Sequence, residues 1–254
     1  MSLLTPMMRS SSLTAWFSDA QRVQGMLDFE AALIRAQAVC GIVPQAAVAP
    51  VVNACRHSLI DFSALGEAAA DAGNLAIPLV RQLTACVKAT DPQAARYVHW
   101  GATSQDAIDS GLILQLRGAL AETDSLLQRL MAEFARQAQR HQHTVMPGRT
   151  WMQHALPVTF GLKLAGTLDA LLRWQQRLRE MRARVLVLQF GGAAGTLDSL
   201  KGHGPEVAGR LAAELGLALP DTRGTASAIG CWKWGPGTPG SAGRWVNLPT
   251  TFRC

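Results

Sequence analysis

Apolar residues recur at intervals of three and four along most of the chain, which is the spacing of one face of an α-helix. A first helix is predicted to begin after Ser18, which can cap it, and to end at Gly41. The apolar positions of this helix are Val23, Met26, Leu27, Leu33 and Ile34. Alternation typical of half-buried strands is scarce, so the pattern predicts an all-α protein.

Two segments keep the helical spacing much longer than the others, from about 107 to 142 and from about 156 to 188. At 1.5 Å per residue the first would be roughly 54 Å long. The break at Met146-Pro147-Gly148 predicts an antiparallel pair in a bundle, and the wide apolar stripes predict partner helices from other subunits. Shorter helices are predicted at 45–57, 61–72, 76–89 and 204–215.

The 254 residues carry a net charge of +6, but the excess of positive charge is concentrated at the C-terminal end. From residue 223 onward there are four basic residues and no acid, which leaves 20 basic and 18 acidic residues in the rest of the chain. No block of basic residues is interleaved with aromatics, so nucleic-acid binding is not expected.

The five cysteines are odd in number and widely spaced, which indicates reduced, mostly buried thiols and no metal site. No segment has the pattern of a signal peptide, and no stretch approaches 18 uninterrupted apolar residues. We therefore expect a soluble cytoplasmic protein without a membrane contact. The cysteines are Cys40, Cys55, Cys86, Cys231 and Cys254.

The last 32 residues differ in character from the rest, because Gly and Pro interrupt them every few positions and they hold three of the seven tryptophans. Neither helical nor strand spacing survives in this tail. The predicted organisation is an N-terminal helical domain at 1–100, a partial central bundle domain at 101–222 and an irregular tail at 223–254.

The segment HWGATSQD, residues 99–106, precedes the first long helix and combines two hydroxyls with an acid. Thr103 or Ser104 as N-cap, with Asp106 in the first turn, explains these residue types as a helix cap. The same geometry is also an anion site, because unpaired N–H groups and the positive end of the helix dipole face outward. The two interpretations are compatible.

The segment GRTWMQHALPVTFG, residues 148–161, places Arg149, Gln153 and His154 in the turn before the second long helix. A histidine near a helix start can be a structural hydrogen-bonding group, or it can carry a proton near neutral pH beside donors for an anionic substrate. In GNLAIP, residues 73–78, the local pattern predicts a helix stop and restart with Asn74 as an ordinary αL cap, and FGGAAGT, residues 190–196, indicates an interhelical glycine turn.

Motifs for nucleotide cofactors, zinc hydrolysis and serine hydrolysis are absent from the sequence: it has no GxGxxG in a βαβ context, no Walker loop, no GxSxG and no HExxH. No cofactor or metal is therefore expected.

Three ordered motifs, RYVHWGATSQDAIDSGL (96–112), GRTWMQHALPVTFGLKLAG (148–166) and LQFGGAAGTL (188–197), resemble the fumarase/aspartase superfamily in the branch that includes adenylosuccinate lyase. Within it, GNLAIPLV and GRTWMQHALP are most similar to the bacterial cycloisomerases that act on 3-carboxy-cis,cis-muconate in protocatechuate breakdown. The resemblance covers about residues 10–222. It implies an all-α homotetramer around a bundle of long helices, with each active site built from three subunits.

The resemblance also implies chemistry. One carboxylate of a small polycarboxylate substrate attacks the conjugated diene within the same molecule, and a carbon is protonated to give a lactone without a cofactor. Thr103 and Ser104 would bind a substrate carboxylate, and His154 would carry the proton, since Trp151 stands where adenylosuccinate lyases have their general-acid histidine. The other residues implied to line the pocket are Asn74, His99, Arg149, Trp151, Gln153 and the Gly192 to Thr196 turn.

One departure concerns the mobile GSSxMPxKxNP loop of the family, which carries the serine favoured as base and does not occur in these 254 residues. The hypothesis is that a frame change or truncation replaced the C-terminal third, leaving a bundle incomplete at its C-terminus and an impaired enzyme. Two alternatives stay open: another lyase of the superfamily that releases fumarate, and a catalytically dead helical fragment that serves only in oligomerisation.

Overall fold

The computed structural model describes residues 11–220, and the predicted tail at 223–254 lies outside the described residues. The helical spacing predicted from the sequence is confirmed in this part of the chain. The α-helices are α1 (Asp19–Val39), α2 (Val48–Ala54), α3 (Phe62–Ala72), α4 (Ala76–Thr90), α5 (Ser104–Arg140), α6 (Phe160–Val185) and α7 (Gly204–Leu215). Short 3-10 turns lie at Ser12–Phe17, Gln45–Ala47, His57–Leu59, Ala94–Tyr97 and Asp198–Leu200.

The ends of these helices follow local chemistry. The Ser18 side chain accepts a hydrogen bond from the Gln21 N–H at the start of α1. Gly41 follows the end of α1 with φ +71°, and Gly216 ends α7 with φ +62°, a backbone region that favours glycine. The predicted boundaries of α1 and α7 are therefore confirmed, whereas the predicted helix at 45–57 is the shorter α2 between two 3-10 turns.

The sequence prediction was wrong about residues 145–159, which form a β-hairpin and not a turn followed by the start of a helix. Strands β1 (Val145–Thr150) and β2 (Gln153–Thr159) pair antiparallel, and α6 begins only at Phe160. Trp151 and Met152 form the two-residue loop with φ of +47° and +62°. Two positive φ values suit the twist of a hairpin, but such loops usually carry Asn-Gly or Gly-Gly, and that signal is missing here.

Within the described residues the chain forms two compact units. One runs to Arg117 and resumes at Ala183, and the other is Gly118–Arg182. The division into domains at 1–100, 101–222 and 223–254 stays a prediction. Three of the predicted reduced cysteines, Cys40, Cys55 and Cys86, are free thiols.

The core of the first unit is built around α1, which packs against α2 and α7. α1 carries the largest group of fully buried side chains, and α7 meets it with Val207 and Leu211, neither of which is exposed to solvent. The fully buried residues of α1 are Leu27, Phe29, Leu33, Ile34 and Gln37.

α1 and α5 cross with their backbones in contact at two glycines. A Cβ added to Gly25 would lie 2.6 Å from the carbonyl oxygen of Gly111, and one added to Gly111 would lie 2.9 Å from the backbone nitrogen of Met26. Only glycine at both positions permits this approach, which brings residues of α1 beside the first turns of α5.

We expect Gly111→Ala to lower the free energy of unfolding by about 1–3 kcal/mol, because the helices must move apart in a packed core. Urea denaturation followed by circular dichroism measures this. The control is Gly66→Ala in α3, where no atom of the described residues lies within 4 Å of an added Cβ. It should be neutral or slightly stabilising, since alanine favours a helix over glycine. Equal effects of the two substitutions would contradict the close crossing.

Candidate functional site

Asp106 closes the start of α5. Its Oδ2 accepts a hydrogen bond from the Thr103 backbone N–H at 3.0 Å, and the Asp106 N–H donates to the Thr103 carbonyl at 3.0 Å. This is the acidic half of a capping box, with Thr103 in the N-cap position as the sequence predicted. The carboxylate, and not a hydroxyl, supplies the side-chain hydrogen bond of the cap.

The hydroxyls of Thr103 and Ser104 are consequently left for other partners. Both residues are partly buried, and within residues 11–220 neither hydroxyl makes a hydrogen bond. The backbone N–H groups of Ser104 and Gln105 lie in the first turn, where a helix offers no internal acceptor. Two hydroxyls and two N–H groups thus surround the positive end of the α5 dipole, which favours an anion.

The same carboxylate ties the glycine loop to this helix start. Asp106 is fully buried, and its oxygens accept from the backbone N–H groups of Gly191 at 3.0 Å and Gly192 at 2.9 Å. Gln189 Nε2 donates to Oδ1 at 3.2 Å. Gly192 has φ +67°, and an added Cβ would lie 3.1 Å from the Gly101 carbonyl oxygen. Two motifs about 85 residues apart in sequence therefore meet at one carboxylate.

A second contact reinforces this junction one turn further along α5. The buried Ser110 hydroxyl donates to the Gln189 carbonyl at 2.7 Å and accepts from the Gln189 N–H at 3.1 Å. Thr196, at the far end of the loop, is exposed. The predicted Gly192 to Thr196 turn thus begins beside the start of α5 and runs outward to solvent.

Burial raises the pKa of the Asp106 carboxyl, and the hydrogen bonds from Thr103, Gly191, Gly192 and Gln189 oppose that rise only in part. Removing a carboxylate from water is costly unless several donors replace the water. The hydrogen-bond donors around Asp106 therefore offset part of the free-energy cost of burying its carboxylate.

His99 is held onto α1 from two sides. Its Nδ1 lies 2.6 Å from Oε1 of Glu30, a residue only 3% exposed, and the carbonyl of the neighbouring Trp100 accepts from Gln37 Nε2 at 2.6 Å. Burial alone would lower the pKa of His99, but the Glu30 carboxylate, its hydrogen bond and Asp106 outweigh burial and raise the pKa. The charged form of His99 therefore persists to higher pH than that of an ordinary histidine.

Sequence reasoning missed Glu30 and Gln37. Both occupy buried positions in α1, whose other buried residues are almost all apolar. A charged residue inside an apolar stripe is the signal that could have found Glu30, because such residues are rarely buried without a partner. Its partner, His99, is 69 positions away and cannot be identified from helical spacing.

Asn74 caps the start of α4. Its Oδ1 accepts from the Ile77 N–H at 3.1 Å, and Gly73 before it adopts φ +71° at the end of α3. The prediction of Asn74 as an αL cap is therefore wrong, because Gly73 takes the left-handed conformation and the Asn74 side chain caps the following helix. No hydrogen bond from the Asn74 side-chain nitrogen occurs in the described part of the chain.

The remaining predicted site residues lie in the second unit, on the hairpin. Arg149 pairs with His154 in the strand register, so their side chains share one face, whereas Gln153 pairs with Thr150 on the other. All four predicted residues are exposed, and Trp151 at the hairpin tip is 97% exposed. The prediction that Arg149, Gln153 and His154 lie in a turn is therefore wrong, because all three are strand residues. The catalytic role of His154 stays a prediction.

Among residues 11–220 no group of three or more His, Cys, Asp or Glu side chains is arranged to hold a metal ion. No helix in that range combines the length and apolar character needed to cross a membrane.

Comparison with known proteins gives consistent results. A family model described as "Lyase" matches residues 7–228. The 3-carboxy-cis,cis-muconate cycloisomerase of Pseudomonas aeruginosa is 61% identical over 212 residues, 84% of this chain and 46% of that protein. The enzyme of the same name from Bradyrhizobium diazoefficiens is 52% identical over 219 residues, 86% of this chain and 49% of that protein.

A solved structure agrees with the sequence matches. The 3-carboxy-cis,cis-muconate lactonizing enzyme from Pseudomonas putida superimposes with a TM-score of 0.84 at 51% identity, covering 87% of this chain and 50% of that one. The all-α fold predicted from the sequence is thereby confirmed. The chain spans about half the length of the curated relatives it matches.

Proposed function

The chain belongs to the lyase family, and on that premise we propose that it performs the cycloisomerisation of 3-carboxy-cis,cis-muconate to 4-carboxymuconolactone. The similarity to relatives of that name supports the substrate. The observation that carries the proposal is the start of α5, where Asp106 makes the cap and leaves the hydroxyls of Thr103 and Ser104 available for a substrate carboxylate.

The reaction joins one substrate carboxylate oxygen to a carbon of the conjugated diene. The electron pair of the broken π bond moves toward a second carboxyl group, giving an enolate-like intermediate, and a proton then adds to carbon. Atoms and electrons balance without an oxidant, a reductant or a cofactor. The enzyme must stabilise the growing negative charge and deliver one proton.

These tasks are divided between the residues as follows. Thr103, Ser104 and the first N–H groups of α5 bind the carboxyl group that gains charge. His99 balances part of the charge of the trianionic substrate, and Asn74 and the Gly192 to Thr196 turn line the same pocket. The hairpin acts at a site shared between subunits, as the family resemblance implies. There Arg149 binds a carboxylate, His154 donates the proton to carbon, and Trp151 and Gln153 line the site.

The protein works as a homotetramer in this proposal. The second unit supports it, because large apolar side chains are exposed on α6, with Leu162 63%, Leu172 51% and Trp174 59% exposed. Large apolar side chains that point to different sides of one helix are expected where neighbouring helices cover it. The wide apolar stripes expected from the sequence fit the same explanation.

We expect Leu172→Arg to shift the protein toward smaller species, because an unpaired charge at an apolar subunit contact opposes association. Light scattering after size exclusion gives the mass. Ala70→Arg is the control, because this exposed residue belongs to α3 and not to α6. Unchanged mass in the Leu172 variant would contradict a contact at this face.

The proposed function is tested by loss of diene absorbance with 3-carboxy-cis,cis-muconate. Two proteins are compared: the 254-residue chain and a chimera in which residues 11–220 replace the aligned segment of the Pseudomonas aeruginosa relative. The chimera should turn the substrate over to the lactone, and the 254-residue chain, which spans about half the length of its curated relatives, should do so at a lower rate.

Product analysis separates the alternatives. A folded chimera that leaves the diene intact, or one that releases fumarate from another substrate class, would contradict the proposal. The Pseudomonas aeruginosa enzyme assayed in parallel is the positive control.

A further inference from the structure

Glu30 is a buried acid without an assigned role. It lies on α1 among apolar residues, and its Oε1 contacts His99 Nδ1 at 2.6 Å. The buried Oε2 has no hydrogen bond to any residue of 11–220. A buried carboxylate is costly unless it is paired and hydrogen-bonded. A purely structural position would favour an apolar residue here, so the carboxylate points to a task performed through His99.

The backbone of His99 is also fixed in an uncommon conformation. Its φ is +59°, which few residues other than glycine adopt. Gln37 holds the next carbonyl, that of Trp100, at 2.6 Å. α1 therefore fixes both the backbone and the ring of His99, and strain of this kind persists only where the surrounding structure enforces it.

The contact with Glu30 determines what the other ring nitrogen can do. Nδ1 is engaged by Glu30, and the His99 side chain is 18% exposed, so the Nε2 atom is left for a ligand. When the ring is charged, Nε2 carries a hydrogen and donates to an anion. If neutral His99 keeps the hydrogen on Nδ1 for Glu30, Nε2 is an acceptor, and a substrate carboxylate would be repelled.

The charged groups acting on His99 come from two elements, Glu30 on α1 and Asp106 on α5. Both are acids and both raise the pKa of the imidazole, against the effect of burial. Because the pKa is raised on folding, the charged ring persists to higher pH than in the unfolded chain and is lost as pH rises through the folded value.

We infer that Glu30 is a positioning residue for carboxylate binding: it holds Nδ1 of His99 and keeps His99 charged, so that Nε2 donates to a substrate carboxylate beside the Thr103 and Ser104 hydroxyls. The inference rests on the proposed function only for the identity of the anion. The effect of Glu30 on His99 can be measured without any enzymatic activity.

The first test is a pH titration of the 254-residue chain labelled with ¹⁵N-histidine, with the His99 signal assigned by its loss in His99→Asn. In the wild type the midpoint should lie above the ordinary histidine value. Glu30→Gln should lower the proton affinity of His99 tenfold or more, and Glu30→Asp should lower it less. Glu67→Gln, at an exposed acid on α3, is the control and should leave it unchanged.

The second test measures kcat/KM against pH in the chimera. Glu30→Gln should raise KM and move the alkaline limb of the profile to lower pH, because uncharged His99 loses its donor. A folded Glu30→Gln chain with an unaltered His99 titration would overturn the inference. If that variant fails to fold, an unaltered titration in Glu30→Asp would do the same.

The two tests separate the inference from the proposed function. If the chimera is inactive but the His99 titration depends on Glu30, the proposed substrate is overturned, whereas the interaction between Glu30 and His99 is supported. If the chimera is active but neither its His99 titration nor its KM changes in Glu30→Gln, only the inference is overturned.

Discussion

Asp106→Ala should lower the free energy of unfolding of the 254-residue chain by about 3–5 kcal/mol. The substitution leaves the N–H groups of Thr103, Gly191 and Gly192 in a buried site without an acceptor. Each buried donor left unpaired costs about 1–3 kcal/mol, and these losses are partly offset because the costly burial of a carboxylate is also removed. Urea denaturation followed by circular dichroism gives the value.

The control for this prediction is Asp109→Ala, one turn further along α5. Asp109 is also an acid whose pKa burial raises, and the Gln105 side chain opposes that rise in part. Within residues 11–220 no hydrogen bond joins the Asp109 side chain to a loop, and its buried Oδ1 has no partner. Its loss should cost much less. If the Asp106 variant stays within about 1 kcal/mol of the wild type, the carboxylate does not hold the loop to the helix.

Thr103→Val should lower kcat/KM of the chimera by about 100-fold while leaving its stability nearly unchanged. Removing one donor aimed at developing charge commonly costs a factor of about 100 to 1,000 in rate. Valine keeps the branched shape of threonine, and the Thr103 hydroxyl makes no hydrogen bond within residues 11–220. A loss of rate without a loss of stability separates a ligand contact from a cap.

The matched control is Thr123→Val, further along the same helix. The Thr123 hydroxyl donates only to the Ala119 carbonyl of its own helix, at 2.8 Å. This variant should keep its kcat/KM. Equal kinetics in the two variants would contradict a role for Thr103 in substrate binding.

The helices could be predicted because their ends depend on nearby residues. Ser18, Gly41 and Gly216 each act within one turn of the helix that they limit, so a short window of sequence holds the signal. The hairpin at 145–159 could not be predicted in this way. Its loop residues, Trp151 and Met152, are not typical of a tight turn, and its strand sequences, VMPGRT and QHALPVT, do not alternate between apolar and polar residues.

The parts of the candidate site that lie within one short motif could be predicted from the sequence. The contacts between residues far apart in the sequence could not. Thr103, Ser104 and Asp106 could be assigned to a helix start from their order alone. The anchoring of Gly191 and Gly192 by Asp106, and of His99 by Glu30, joins positions 69 to 86 residues apart. Periodicity describes one element at a time, so it contains no information on which polar groups of different elements meet.

The account depends on one central claim, that the start of α5 binds a substrate carboxylate through Thr103 and Ser104. A crystal structure of the chimera with the bound lactone product tests this claim most directly. We expect a carboxylate of the product to lie within about 2.6–3.2 Å of both hydroxyl oxygens. A product bound elsewhere, with both hydroxyls facing water, would contradict the claim.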